Sequence, residues 1–252
     1  MLDVHPPHES VHSWRDFFIH IATIVVGLII AVGLEQTVEA LHRHSERAEL
    51  RESLQHETDE ILRDAEHVDT SISAEIKWQQ QIGDIFIASE RTHRPLGQLP
   101  PEPPKDFDFP DDPIYKAAKA SNKLTLLSKE ETEAYGELDG LLEHVNIAYR
   151  QRVDALNAEI ETQRQLRFDQ PVGPIPDQSA LNLSSGFAPY AASTLSSEDL
   201  KNLYTDTVHL EISAANFVYW SRQVRGAAVA LHQGERHLNK IEAAERQFDN
   251  LP

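Results

Sequence analysis

Residues 17–34 read FFIHIATIVVGLIIAVGL, a run of 18 residues without a formal charge. A helix rises about 1.5 Å per residue, so a bilayer core about 30 Å thick needs roughly 20 apolar residues. With its flanking residues the segment 14–34 has this length, and Trp14 fits the headgroup level, where tryptophan is enriched. We therefore predict a short tail over residues 1–13 and a transmembrane helix over residues 14–34.

The flanks of this segment bear on its processing and orientation. Its leader carries Asp3, Glu9 and Asp16 against a single Arg15, whereas a cleaved signal peptide has a basic leader. The small-residue site at 38–40 nevertheless leaves cleavage open. Basic residues are nearly balanced across the segment, and long domains cross membranes largely regardless of nearby charge. We expect a single-pass anchor with a cytoplasmic tail and an exported domain.

One face of the predicted span carries small residues. Thr23, Gly27 and Ala31 recur every four residues, and His20 lies one turn earlier. This spacing lets two helix backbones approach closely in lipid, where an ionisable group usually needs a partner. The pattern predicts docking of another membrane helix, from a partner protein or from a second copy. Small residues are also common in spans that make no such contact, so a chance pattern stays open.

The rest of the chain is typical of long helices. No proline lies between residues 8 and 94, so the helix should continue beyond the span, over about 35–91. Proline-rich connectors follow it, and later capping boxes at Ser128/Glu131 and Ser196/Asp199 mark new helix starts. We predict helices over about 113–168, with a break near 128, and over about 197–247. The expected fold class is all-α.

The last predicted helix has the clearest heptad pattern, which predicts a buried seam. Its members are Leu203, Leu210, Phe217, Val224, Leu231 and Leu238. The three long helices have matched lengths of roughly 80 Å at the usual helical rise. We therefore predict that residues 35–252 form an elongated antiparallel bundle of three helices running up, down and up. A four-helix bundle remains open if the chain reverses near Ser128.

Composition excludes several functions. The chain has 23 Lys and Arg against 41 Asp and Glu, a net charge of −18, so we expect no nucleic-acid partner. Cysteine is absent, and so are phosphate-binding loops, nucleophile elbows and H-E-x-x-H motifs. Acid–histidine pairs at helical spacing are scattered and do not form the set that di-metal bundles use. We predict no cofactor and no enzymatic activity.

Residues 178–197 read QSALNLSSGFAPYAASTLSS and contain no charge, although 25% of the chain is charged. Phe187 and Tyr190 lie among small residues in this stretch. It is either a loop packed along the bundle or a contact surface for a membrane or a partner. In the up-down-up order this loop returns to the membrane end of the bundle.

Residues 26–31, VGLIIA, followed by Glu35, and residues 123–127, KLTLL, before an acidic helix carry a resemblance. The chain is similar to uncharacterised bacterial single-pass membrane proteins with an N-terminal anchor and a helical domain of unknown function. The resemblance implies a bacterial cell membrane, the inner membrane. Together with the exported domain expected from the flanks, this predicts that the large domain lies in the periplasm. The resemblance brings no catalytic residues.

These observations together predict a membrane-anchored helical-bundle interaction protein, a subunit or accessory factor of a membrane assembly. Its expected partners are membrane lipid and either a membrane protein or a second copy docked on the span. One alternative is a ligand-sensing periplasmic bundle, although the 13-residue tail carries no signalling domain. A metal-binding bundle is the other.

Overall fold

A computed structural model describes residues 14–104, 108–169 and 195–248. Their regular structure is all helical: α1 (Trp14–Thr92), α2 (Pro113–Ala120), a 3₁₀ turn (Lys123–Leu126), α3 (Lys129–Asp169), α4 (Ser197–His232) and α5 (Leu238–Phe248). The all-α prediction is confirmed for these residues. The chain divides into two compact units, Met1–Glu52 and Ser53–Pro252, and α1 contributes to both.

Capping boxes start the two long helices that follow α1. At α3 the Glu131 N–H donates to the Ser128 hydroxyl at 3.2 Å, and the Ser128 N–H donates to the Glu131 carboxylate at 2.9 Å. At α4 the Asp199 N–H donates to the Ser196 hydroxyl at 3.1 Å. Such boxes satisfy backbone donors that a helix leaves unpaired in its first turn.

Within the second unit, α1 and α3 run in the same direction. The Arg152 guanidinium of α3 contacts the Glu75 carboxylate of α1 at 2.5 Å. Seventeen residues earlier along each helix, the Tyr135 side chain of α3 lies beside Thr58 of α1. Both pairs have the same sequence separation, 77 residues, which is what two parallel helices in constant register produce.

α4 runs antiparallel to α1, as a ladder of polar contacts shows. As the position on α1 advances, the position of the partner on α4 retreats by the same number of residues. The pairs are Asp59–His232 at 2.5 Å, Glu66–Arg225 at 2.8 Å, Asp69–Arg222 at 3.0 Å and Gln80–Glu211 at 2.7 Å.

The proline-rich connector runs back along α1. The Trp78 indole donates to the Pro100 carbonyl at 3.1 Å, and the Phe109 ring stacks on Phe217. At the far end of the connector, the Glu57 carboxylate accepts backbone N–H groups from Ile114 and Tyr115. The connector therefore retraces the helix from near its C-terminus to residue 57.

The up-down-up order predicted from matched helix lengths is wrong, because it assumed a short reversal after α1. An extended proline-rich chain advances about 3.1 Å per residue, twice the helical rise of about 1.5 Å. The 20 residues between Thr92 and Pro113 can therefore span some 35 helical residues. This return places the next long helix parallel to α1.

The single helix predicted over 197–247 is interrupted. Gly234 adopts a φ of +84°, its N–H donates to the Leu231 carbonyl at 2.9 Å, and the Glu235 N–H donates to the Ala230 carbonyl at 3.0 Å. These two bonds form a Schellman motif, which ends α4. Leu238, predicted as the last seam member of that helix, belongs instead to α5.

The core of the second unit includes the predicted seam of α4. Each of five seam residues is no more than 1% exposed: Leu203, Leu210, Phe217, Val224 and Leu231. α5 folds back onto α4 at Gly226, where an added Cβ would lie 2.6 Å from the Glu245 Cα. Only a glycine allows the two backbones to approach this closely.

The close approach predicts opposite effects for two glycine substitutions. Gly226→Ala forces the α5 backbone away and should destabilise the fold by about 1–3 kcal/mol, the usual cost of overpacking. Gly140→Ala, in α3, meets no atom within 4 Å. It should stabilise by about 0.5–1 kcal/mol through helix propensity. Urea unfolding followed by circular dichroism measures both, and stabilisation by both substitutions would contradict the α4–α5 contact.

Candidate functional site

The apolar segment at the start of α1 is exposed along its whole length. Among the described residues, α1 is the one helix long and apolar enough to cross a membrane, and none of its most apolar 18-residue window is buried. Trp14 and Leu34, near its two ends, are 78% and 63% exposed. Such a continuous apolar surface is unusual unless a membrane or another protein covers it.

The residues predicted to dock another helix lie in this exposed segment. The His20 Nδ1 is 2.9 Å from the Asp16 carbonyl oxygen, and the Thr23 hydroxyl donates to the Ile19 carbonyl at 2.9 Å. These polar groups thus have partners within their own helix, as a lipid environment requires. An added Cβ at Gly27 would meet no atom within 4 Å, so the face with Ala31 is open.

The uncharged stretch with Phe187 and Tyr190 lies outside the described residues. Its flanks are described: Leu166 and Leu195 pack in one cluster with Phe86, near the C-terminal end of α1. The described end of α3 and start of α4 therefore lie beside the C-terminal end of α1, and not at the opposite end as the up-down-up order predicted. The reason is the parallel order of α1 and α3, which brings the end of α3 beside the end of α1.

A buried ion pair lies in the middle of the second unit. The side chains of Glu75 and Arg152 are 2% and 5% exposed and 2.5 Å apart. Gln79, one turn further along α1, is also buried, at 2% exposure. Taking two charges out of water costs several kcal/mol for each ion, so the pair depends on its mutual contact. Nothing in the sequence marks Arg152 as the partner of Glu75, because the two residues are 77 positions apart.

A second buried carboxylate holds the start of α2. Glu57 is 4% exposed, and its carboxylate accepts N–H groups from the first turn of that helix. Burial raises the pKa of Glu57 to about 7. The neighbouring carboxylates of Asp112 and Asp111 raise this pKa further, while the two backbone N–H groups oppose the shift. No sequence signal marks this contact. Glutamate is frequent in α1, and the groups that Glu57 binds belong to a helix start that is distant in sequence.

Lys116 completes the charged group around the start of α2. Its ammonium lies 2.6 Å from the Asp111 carboxylate and 2.8 Å from the Asp112 carboxylate. These carboxylates raise the pKa of Lys116 against the opposing effect of burial. The arrangement is a tertiary helix cap supported by ion pairs, and its evident role is to hold the returning connector against α1.

The clefts of the second unit are small or open. The cleft between α1 and α4 near Phe86 and Tyr204 has a volume of about 120 Å³, below the roughly 300 Å³ of ordinary ligand pockets. In the described parts of the chain, no group of three or more His, Asp or Glu residues is placed to hold a metal ion. Comparison with protein-family models, curated proteins and solved structures gave no match.

The buried carboxylate at the start of α2 predicts a pH dependence. The pKa of Glu57 rises from 4.5 to about 7 on folding, so the folded chain binds more protons between these values. Stability should therefore fall as the pH rises from about 4.5 to 7. Glu57→Gln removes this titration but keeps a hydrogen-bond acceptor, so its melting temperature should fall less between pH 5 and pH 8. Glu60→Gln, which removes an exposed charge nearby, is the control, and identical profiles for Glu57→Gln and the parent would refute the assignment.

The buried ion pair predicts a non-additive pair of substitutions. Arg152→Met leaves the Glu75 carboxylate buried without its cation and should cost about 3–5 kcal/mol. The double variant Glu75→Leu/Arg152→Met removes both charges and should recover most of that loss. Urea unfolding of both variants and of the parent measures the coupling. Equal stability of Arg152→Met and the parent would show that the pair does not carry buried charge.

Proposed function

We propose that this chain is a membrane-anchored interaction protein, a subunit or accessory factor of a membrane assembly. The observation that carries the proposal is the exposed apolar segment of α1, which continues without interruption into a helix that packs against α3 and α4. One unbroken helix thus supplies both the anchor and part of the packed second unit.

The face with Thr23, Gly27 and Ala31 is the proposed docking surface in the membrane. In lipid there is no hydrophobic force between helices, so association depends on close packing and on hydrogen bonds. An open glycine flanked by small residues offers close packing, and the His20 ring adds a polar group at one end of the face. We assign lipid and a second membrane helix as the partners of this surface.

We propose the inner membrane of a bacterium as the location, with the second unit in the periplasm. The resemblance to bacterial single-pass proteins favours the inner membrane of a bacterium. A 13-residue tail on the cytoplasmic side leaves the second unit in the periplasm, since long domains are translocated largely regardless of flanking charge. The acidic net charge of −18 suits a water-exposed domain that does not adhere to anionic lipid headgroups.

Gly27→Leu tests the docking surface. Leucine is at home in lipid, so the variant should stay in the membrane fraction after an alkaline wash. Its bulk should separate the helices and remove the protein, or the second copy, that co-purifies with the parent in mild detergent. Gly33→Leu is the matched control, because Gly33 is equally open but lies off this face.

Two results would contradict the proposal in different ways. Release of the parent chain from the membrane by the alkaline wash would refute the anchor. Equal co-purification by Gly27→Leu, by Gly33→Leu and by the parent would leave the anchor intact and refute docking through the Gly27 face. Mass spectrometry of the co-purified proteins provides the measurement.

A further inference from the structure

The outward face of α4 carries an uncharged stripe. Its members are three or four residues apart, a second heptad on the side opposite to the buried seam: Thr205, Val208, Ile212, Ala215 and Tyr219. We call this set the outer stripe. Ile212 and Tyr219 are 62% and 45% exposed, and residues 212–221 contain no charge. The chain as a whole has a net charge of −18, so this uncharged face of the second unit contrasts with the rest of the sequence.

The two charged residues that border the uncharged run 212–221 contact α1. Glu211 accepts a hydrogen bond from Gln80 of α1 at 2.7 Å, and the Arg222 guanidinium contacts Asp69 of α1 at 3.0 Å. Glu211 and Arg222, on either side of the uncharged run, thus both contact α1. The part of the outer stripe between Glu211 and Arg222 contains no charged residue.

The adjoining surface of α3 continues the patch. The His144 ring stacks on the Trp220 ring at 4.3 Å, and the Asn216 amide donates to the Gln151 side chain at 3.0 Å. Ile147, between these two α3 residues, is 43% exposed. A groove of about 480 Å³ lies between the helices, and its lining includes Ile212, Ser213 and Ala155. The exposed patch is therefore wider than one helix.

A helix already covers the continuation of the same face. Gly226 follows Ile212 by two heptads, and there the α5 backbone approaches so closely that an added Cβ would clash with Glu245. Ala230, one turn further, is 6% exposed. This face of α4 thus accepts a helix at short range over its second half, while its first half, the outer stripe, is open.

We infer that the outer stripe binds the outer stripe of a second copy of this chain. Most of the surface of one copy repels another copy, because each carries a net charge of −18. The outer stripe is a neutral surface of the second unit, on which two copies can approach without like-charge contacts between the stripes. It also suits a two-fold interface, in which one patch faces itself. The small Ala215 lies between the larger Ile212 and Tyr219, an alternation that lets the helices interlock.

The size of the patch sets the strength of the pairing. The outer stripe covers 14 helical steps, about 21 Å, and at a helix width of about 10 Å this is roughly 200 Å². A stable interface buries roughly 800 Å² per partner. Pairing should therefore be weak between free molecules. Anchoring two copies in one membrane raises their effective concentration and so strengthens the pairing. In this respect the inference rests on the proposed function, which supplies the anchor.

The absence of cysteine from the sequence allows a direct test. The full chain with Ala215→Cys is reconstituted in lipid vesicles and oxidised, and dimers are counted on a non-reducing gel. A disulfide forms only when the two Cα atoms come within about 7 Å, so a dimer reports contact between the stripes. Ala88→Cys, at an exposed alanine of α1, is the matched control. The dimer yield of Ala215→Cys should exceed that of Ala88→Cys.

A second substitution separates specific pairing from collision. Ile212→Glu in the Ala215→Cys background places carboxylates against each other in the pair. The yield should fall at least about tenfold, since like charges at an interface cost several kcal/mol. Equal yields for Ala215→Cys and Ala88→Cys, or no loss with Ile212→Glu, would overturn the inference.

The outcome is independent of the test of the docking surface. The same oxidation in concentrated detergent micelles does not need a shared bilayer, and there Ala215→Cys should still exceed Ala88→Cys. Failure in both vesicles and micelles would overturn the pairing, while the membrane fractionation of Gly27→Leu would still decide the proposed function. Dimers that persist with Gly27→Leu would show that the stripe pairs without help from the span.

Discussion

The arrangement of the second unit depends on the length of the connector between α1 and α2. An extended proline-rich chain advances about twice as far per residue as a helix does. The 20-residue connector can therefore run back along α1 from Thr92 to Glu57. Glu57 then holds its far end by accepting the first N–H groups of α2. The parallel order of α1 and α3 and the stacking of Phe109 on Phe217 both follow from this return.

Polar contacts then fix the register within that order. The Glu75–Arg152 pair sets α3 against α1, and the ladder from Asp59–His232 to Gln80–Glu211 sets α4 against α1. Apolar side chains tolerate sliding by a heptad, whereas a buried charge that slides loses its partner at a cost of several kcal/mol. The seam of α4 is buried from Leu203 to Leu231, and these pairs select one alignment of it.

Much of the local structure could be predicted from the sequence, because it depends on neighbouring residues. The exposed apolar segment, the two capping boxes and the periodicity of the α4 seam are all local signals. The direction of α3 was missed, because it depends on how far a connector extends and not on its composition. The end of α4 at Gly234 had a signal, glycine at a C′ position, that the continuing heptad obscured. The partners Arg152 and Ile114 are distant in sequence from Glu75 and Glu57, and no pattern in one chain pairs them.

The fold constrains the lengths of the two long connections of the second unit to different degrees. The connector before α2 works as a strut of defined length, because its ends lie far apart along α1. The segment between Leu166 and Leu195 begins and ends within one apolar cluster. Doubling such a loop costs only about 0.6 kcal/mol in closure entropy, so the fold sets almost no limit on its length. Insertions between Leu166 and Leu195 should therefore cost little stability, whereas insertions between Thr92 and Pro113 should disrupt the fold.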